Sequence, residues 1–182
     1  MTFLYFAYGS NMLSSRLTAR CSSARVLGAA VAKNHTIEFT KPSKDKSGKA
    51  TLIPSAGPDV HTFGVLFEIK KVELKALDKA EGAGYGYERH DGFSVIRSSD
   101  SDTVKAATYL ANEARAELRP FDWYLALVVA GALAHKLAND HVDNLLAVPY
   151  ELDADTDRQS RREALEALRK HGYFDHVKLL RR

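Results

Sequence analysis

Three stretches of this 182-residue sequence carry residue types that could do chemistry. The first is Tyr8-Gly9-Ser10-Asn11, which breaks a run of aromatic and apolar residues. A glycine at a strand-to-helix junction lets successive backbone N–H groups converge on one concavity. Such a nest, beside a helix N-terminus, takes a carboxylate or an oxyanion. The same residues also suit a plain turn with Ser10 or Asn11 as the cap of a helix. The second is Glu81. On a helix from Val72, the positions Leu74, Leu77 and Glu81 share one apolar face, so the carboxyl points inward. It also stands in the last turn, at the negative end of the helix dipole. Burial and dipole both disfavour its charged form, which suits a general base working near neutral pH. A solvated helix end is the plain alternative for Glu81, and Asp78 is a weaker candidate on the same face. The third is Tyr124, on one stripe with Phe121 and Val128. Its buried hydroxyl needs a partner, which a substrate or a backbone carbonyl could supply. The glycine- and tyrosine-rich stretch 82–87 stands beside Glu81 and is a candidate pocket wall or lid.

The elements that position these residues can be read from pattern. Phe3 to Ala7 reads as a strand covered on both faces, and Met12 to Arg20 as a short helix. Val26 to Ala32 and His35 to Thr40 read as paired strands joined at Lys33-Asn34, and 41–49 as a surface loop. Ala50 to Pro54 and Thr62 to Ile69 are further strands, with 55–59 as the turn between them. Val72 to Glu81 is a helix that stops at Gly82. Tyr87 to Arg97 and Val104 to Leu110 alternate as strands. A buried helix starts at Pro120 and runs to about Asn139. Shorter helices follow at 142–147 and 161–170. Strands fill the first two-thirds and helices the last third. The expected fold class is therefore α+β, a single domain over 1–182 with a curved sheet or barrel and flanking helices.

Composition excludes several classes. Cys21 is the only cysteine, so neither an intrachain disulfide nor a thiolate cluster is available. The histidines show no zinc spacing, and no GxGxxG or Walker pattern is present. The net charge of +3 is spread along the chain, which argues against a nucleic-acid partner. The apolar stretch Trp123 to Leu133 is too short to span a bilayer. The apolar start lacks a positive flank and a cleavage site. A cytoplasmic protein without a membrane partner is expected.

Taken together, these pieces resemble the γ-glutamylcyclotransferase family, which includes the AIG2-like proteins. Phe3 to Met12 is similar to the family's first strand and YGSN loop. Gly64-Val65-Leu66-Phe67, followed by Leu77-Asp78-Lys79-Ala80-Glu81-Gly82, is similar to its second signature. Thr108-Tyr109-Leu110, Trp123-Tyr124 and Gly131-Ala132 resemble its later strand and buried helix. The resemblance covers about 3–150 and leaves 151–182 as a helical extension.

It implies a small mixed β-barrel and release of 5-oxoproline from a γ-glutamyl amino acid or amine, without a cofactor or metal. It implies Glu81 as the catalytic acid/base. It implies that Tyr5, Phe6, Ala7, Tyr8, Gly9, Ser10 and Asn11 line the γ-glutamyl site and that Tyr124 contacts substrate. The implied partner is a small γ-glutamyl compound; a homodimer is left open. Two other readings remain: removal of a γ-glutamyl group from a specialised biosynthetic intermediate, and a non-catalytic ligand-binding protein on the same fold.

Overall fold

The apolar run at the N-terminus forms β1 (Thr2–Ala7), which has neighbours on both edges and is buried from Tyr5 to Ala7. It pairs antiparallel with β5 (His61–Lys70) along its whole length, from Thr2 opposite Lys70 to Ala7 opposite Val65. On its other edge Tyr5 pairs in parallel with Ala107 of β7 (Thr103–Ala111). With β2 (Arg25–Lys33) and β6 (Tyr87–Arg97) these strands close a five-stranded barrel in the order β1-β5-β2-β6-β7. Closure removes the free edges that an open sheet would present. This computed structural model describes residues 1–57 and 59–181.

β3 (His35–Pro42) and β4 (Gly48–Pro54) form a separate two-stranded sheet. The pairing of β2 with β3 expected from sequence is therefore corrected. Asn34 takes a left-handed φ of 56°, its N–H donates to Val60 O, and its carbonyl accepts from Ser55 N. These bonds tie the junction to the 55–60 segment and carry the chain out of the barrel rather than back along β2. That segment likewise links two sheets instead of turning a hairpin; Pro58 in it lies outside the described residues.

α1 (Ser14–Thr18) is shorter than expected, because Ser10–Met12 is a separate 3-10 turn. α2 (Leu74–Glu81) ends at Gly82, whose φ of 67° and ψ of 39° give the left-handed C-cap. α3 (Asp122–Ala134) is buried on every side from Asp122 to Ala132. It stops short of the expected Asn139, because Lys136 turns left-handed and Leu137 N–H bonds back to Ala132 O. α4 (Asn139–Leu146), α5 (Gln159–Arg169) and α6 (His176–Leu180) pack on α3. His176 of α6 is held by Asp122 of α3 at 2.8 Å. No helix among the described residues is long and apolar enough to cross a membrane.

His141 on α4 is only 6% exposed, lies against Phe63, and has no partner for its Nε2 among the described residues. Burial pulls its pKa from the usual 6.5 down to about 4. The unfolded chain takes up this proton below about 6.5, and the folded chain only near 4. The unfolded state thus binds more protons across that window, and stability falls as pH drops through it. His141→Leu should flatten that part of the pH–stability curve. Urea unfolding of both proteins across the window checks this, and parallel curves would exclude His141 as a source.

Candidate active site

The turn after β1 brings backbone donors to the mouth of the barrel. Gly9 has φ −108° and ψ −146°, and its carbonyl accepts from Met12 N at 3.0 Å. The N–H groups of Gly9 and Ser10 donate to no acceptor among the described residues. A Cβ at Gly9 would sit 3.2 Å from Ala50 Cβ and 3.5 Å from the Tyr124 hydroxyl. Glycine therefore keeps open the space beside Ala50 and the Tyr124 hydroxyl.

Glu81 is brought to this turn by the last residue of α2. Its Oε1 accepts from Asn11 Nδ2 at 2.6 Å and from Arg20 at 2.9 Å. The buried Asn11 amide is fully engaged: Nδ2 also donates to the Tyr5 hydroxyl at 3.0 Å, and Oδ1 accepts from Arg20 at 2.8 Å. This network fixes the carboxylate against the turn. Glu81 Oε2 has no hydrogen-bond partner among the described residues. The side chain is 16% exposed, so the inward direction expected from periodicity holds. Asp78 is committed elsewhere: it accepts from Tyr109 at 2.7 Å and pairs with Arg89 at 2.5 Å.

Around these groups lies a narrow inner cavity of about 30 Å³. Five tyrosines wall it: Tyr5, Tyr8, Tyr87, Tyr109 and Tyr124. Gly9, Ser10, Asn11, Ala50 and Glu81 complete the lining. Burial above all, and then the Glu81 charge, push the Tyr5 hydroxyl well above its usual pKa. Burial does the same for Tyr8 and Tyr87, so the cavity is lined by neutral hydroxyls. The Tyr8 hydroxyl donates to Tyr109 O, and Tyr87 donates to Ala50 O at 2.7 Å. Ser10, Glu81, Tyr87 and Tyr124 also border a wider outer cavity of about 410 Å³.

Of the residues expected to line a site, the structure brings together Tyr5, Tyr8, Gly9, Ser10, Asn11, Glu81 and Tyr124. Phe6 and Ala7 are not among the residues that line this cavity. Phe6 stacks on Phe93 and leans on Tyr8, and Ala7 is enclosed in the β1–β5 pairing. Sequence reasoning missed Tyr109, Arg20 and the lysines Lys41, Lys44 and Lys49; the expected 41–49 surface loop is corrected, because Lys41 pairs with Lys49 and Pro42 with Gly48 at the ends of β3 and β4. Tyr87 lay in the stretch singled out as a wall. For Arg20 no local pattern existed, because its partners lie on α2 and in the turn after β1.

Tyr124 accepts from Ala50 N at 3.1 Å, so its hydroxyl has a structural partner as well as a place on the cavity wall. Tyr124→Phe would leave that buried N–H unpaired and should cost about 1–3 kcal/mol of stability. Thermal unfolding measures this; an unchanged midpoint would mean that Ala50 N–H finds another acceptor.

Comparison with known proteins shows what the chain is similar to. Residues 61–145, which include Glu81, match the AIG2-like family. A γ-glutamylcyclotransferase of Bos taurus is 38% identical over 90 residues, 47% of this chain and 47% of that protein. One of Homo sapiens is 28% identical over 152 residues, 81% of this chain and 79% of that protein. The chain is similar to γ-glutamylcyclotransferase enzymes. A solved γ-glutamyl cyclotransferase structure superposes with a TM-score of 0.81 at 24% identity, over 91% of this chain and 99% of that one. The closed barrel with flanking helices is thus shared with this group. The chain spans about half the length of the bovine protein where the two align.

Proposed function

We propose that this chain is itself a γ-glutamylcyclotransferase, converting a γ-glutamyl amino acid or amine to 5-oxoproline and the free amine. The observation that carries the reading is the 2.6 Å contact between Glu81 and Asn11, which holds an inward carboxylate against a turn with two unengaged N–H donors. The names and fold of the relatives support it.

In this reaction the α-amine of the glutamyl unit attacks its own side-chain carbonyl. A C–N bond closes the five-membered lactam, and the bond to the leaving amine breaks. The nucleophile is tethered, so much of the entropic cost of bringing it close is absent. Glu81 accepts the proton from the ammonium and passes it to the departing nitrogen. The N–H groups of Gly9 and Ser10 hold the substrate or the developing oxyanion. The neutral tyrosine wall replaces bulk water around the reacting atoms. Arg20 and Asn11 keep the carboxylate in place between the two transfers.

We place residues 1–182 in one domain, a reading supported by the packing of α5 and α6 on α3. The test is incubation of purified protein with γ-glutamyl-alanine and a panel of γ-glutamyl amines, followed by assay of 5-oxoproline. Product release supports the reading; a folded protein inert on every member would overturn it.

A further inference from the structure

The outer cavity carries more positive charge than its own carboxylates neutralise. Six cations border it: Arg16, Arg20, Lys41, Lys44, Lys49 and Arg158. Three are paired, Arg20 with Glu81 at 2.9 Å, Lys49 with Asp45 at 2.9 Å and Arg158 with Asp153 at 2.6 Å. Arg16, Lys41 and Lys44 have no carboxylate within 4.0 Å among the described residues. Lys44 is exposed and easily solvated. Arg16 and Lys41 are not. Arg16 is tucked behind Ser10, its Nε donating to Ser10 Oγ at 3.2 Å, and this is its one hydrogen bond among the described residues. Lys41 Nζ stands 4.7 Å from the centre of the Tyr87 ring, on the wall that the two cavities share.

Two half-buried cations with no carboxylate within 4.0 Å among the described residues are only partly compensated, by Glu81 at longer range, until something anionic comes to them. They also face common ground. Burial is the main cause that lowers the Lys49 ammonium to about 8, and the Arg16 and Lys41 charges both add to it. Burial lowers Arg16 to about 10, with Arg20 adding to the effect, so Arg16 stays charged at neutral pH.

We infer that the outer cavity is a leaving-group site that selects amines carrying at least two anionic groups, with Arg16 and Lys41 as the residues that read the second charge. The inference rests on the cyclisation reading, because the two cavities share Ser10, Glu81, Tyr87 and Tyr124 in their walls. It separates substrates that differ only in the amine released. An acidic amino acid or acidic peptide finds two charge-assisted partners, whereas a cationic amine meets like charge.

The test uses a matched pair, γ-glutamyl-glutamate and γ-glutamyl-glutamine, which share size and differ in one carboxylate. Wild-type kcat/KM should favour the acidic member by about tenfold or more, mostly through KM, and the preference should shrink at high salt. Lys41→Gln, and independently Arg16→Gln, should bring the ratio toward one, mainly by slowing the acidic substrate. Equal values for the pair in wild type overturn the inference and leave the cyclisation reading standing. Absence of 5-oxoproline from both members overturns the cyclisation reading instead. The charge preference is then decided by calorimetric binding of the two compounds to Glu81→Gln protein. Tighter binding of the glutamate compound retains it, and equal binding removes it.

Discussion

Glu81→Gln should fold like the wild type and lose about 10²–10⁴-fold in kcat, the range a positioned general acid/base contributes. Glutamine keeps an oxygen that can accept from Asn11 Nδ2 and Arg20, so the 2.6 Å and 2.9 Å contacts have a substitute acceptor. What it lacks is a site for the proton. The loss should therefore fall on kcat, with KM changed far less, because the Gly9 and Ser10 donors and the tyrosine wall are untouched. Circular dichroism and 5-oxoproline kinetics on the same preparation check both halves. A Glu81→Gln enzyme with wild-type turnover would remove Glu81 from the chemistry.

Gly131→Val should lose both stability and activity, although residue 131 does not touch either cavity. A Cβ at Gly131 would lie 2.6 Å from Met12 Cβ, 2.8 Å from Leu13 N and 2.9 Å from Met12 C. Two of those atoms are backbone, so no side-chain rotation relieves the contact. Either α3 moves out of the core or the turn that carries Ser10 and Asn11 is pushed away from it. Overpacking of this kind costs about 1–3 kcal/mol. A shift of about 1 Å in a substrate-positioning group can cost about 10²-fold in rate. The expected result is a lower unfolding midpoint together with a fall in kcat/KM. Retention of wild-type values for both would mean that α3 and the turn can separate without consequence.

Elements with a local signature were legible in the sequence. The apolar run of β1, the alternation of β6 and β7 and the glycine stop of α2 all depend on near neighbours, and each lies close to its expected place. Glu81 was legible for the same reason, as one position on the face of Leu77. Pairings were not legible. β2 and β3 are adjacent in sequence, yet bonds from Asn34 to Val60 and Ser55 send them to different sheets. No periodicity encodes a bond across that distance. The site divides in the same way. Gly9, Asn11, Glu81 and Tyr124 stand out by type and position. Arg20, Tyr109 and Lys41 do not, because each matters only through a partner on a distant segment. Phe6 shows the converse: a place in a recognisable run does not say which face of β1 the ring takes.

The closure of the barrel also sets when this site can exist. The Tyr8 hydroxyl meets the Tyr109 carbonyl across 101 positions, and Asn11 meets Glu81 across 70. Contacts of such long sequence separation form late, since the chain must pay loop-closure entropy before they reward it. Helices such as α3 and α5 can acquire their dichroism in a refolding chain while the cavity is still absent. Regain of catalytic competence should therefore trail regain of helicity, and a nascent chain still emerging before β7 has no site at all. On the proposed cyclisation reading, turnover reports the finished barrel.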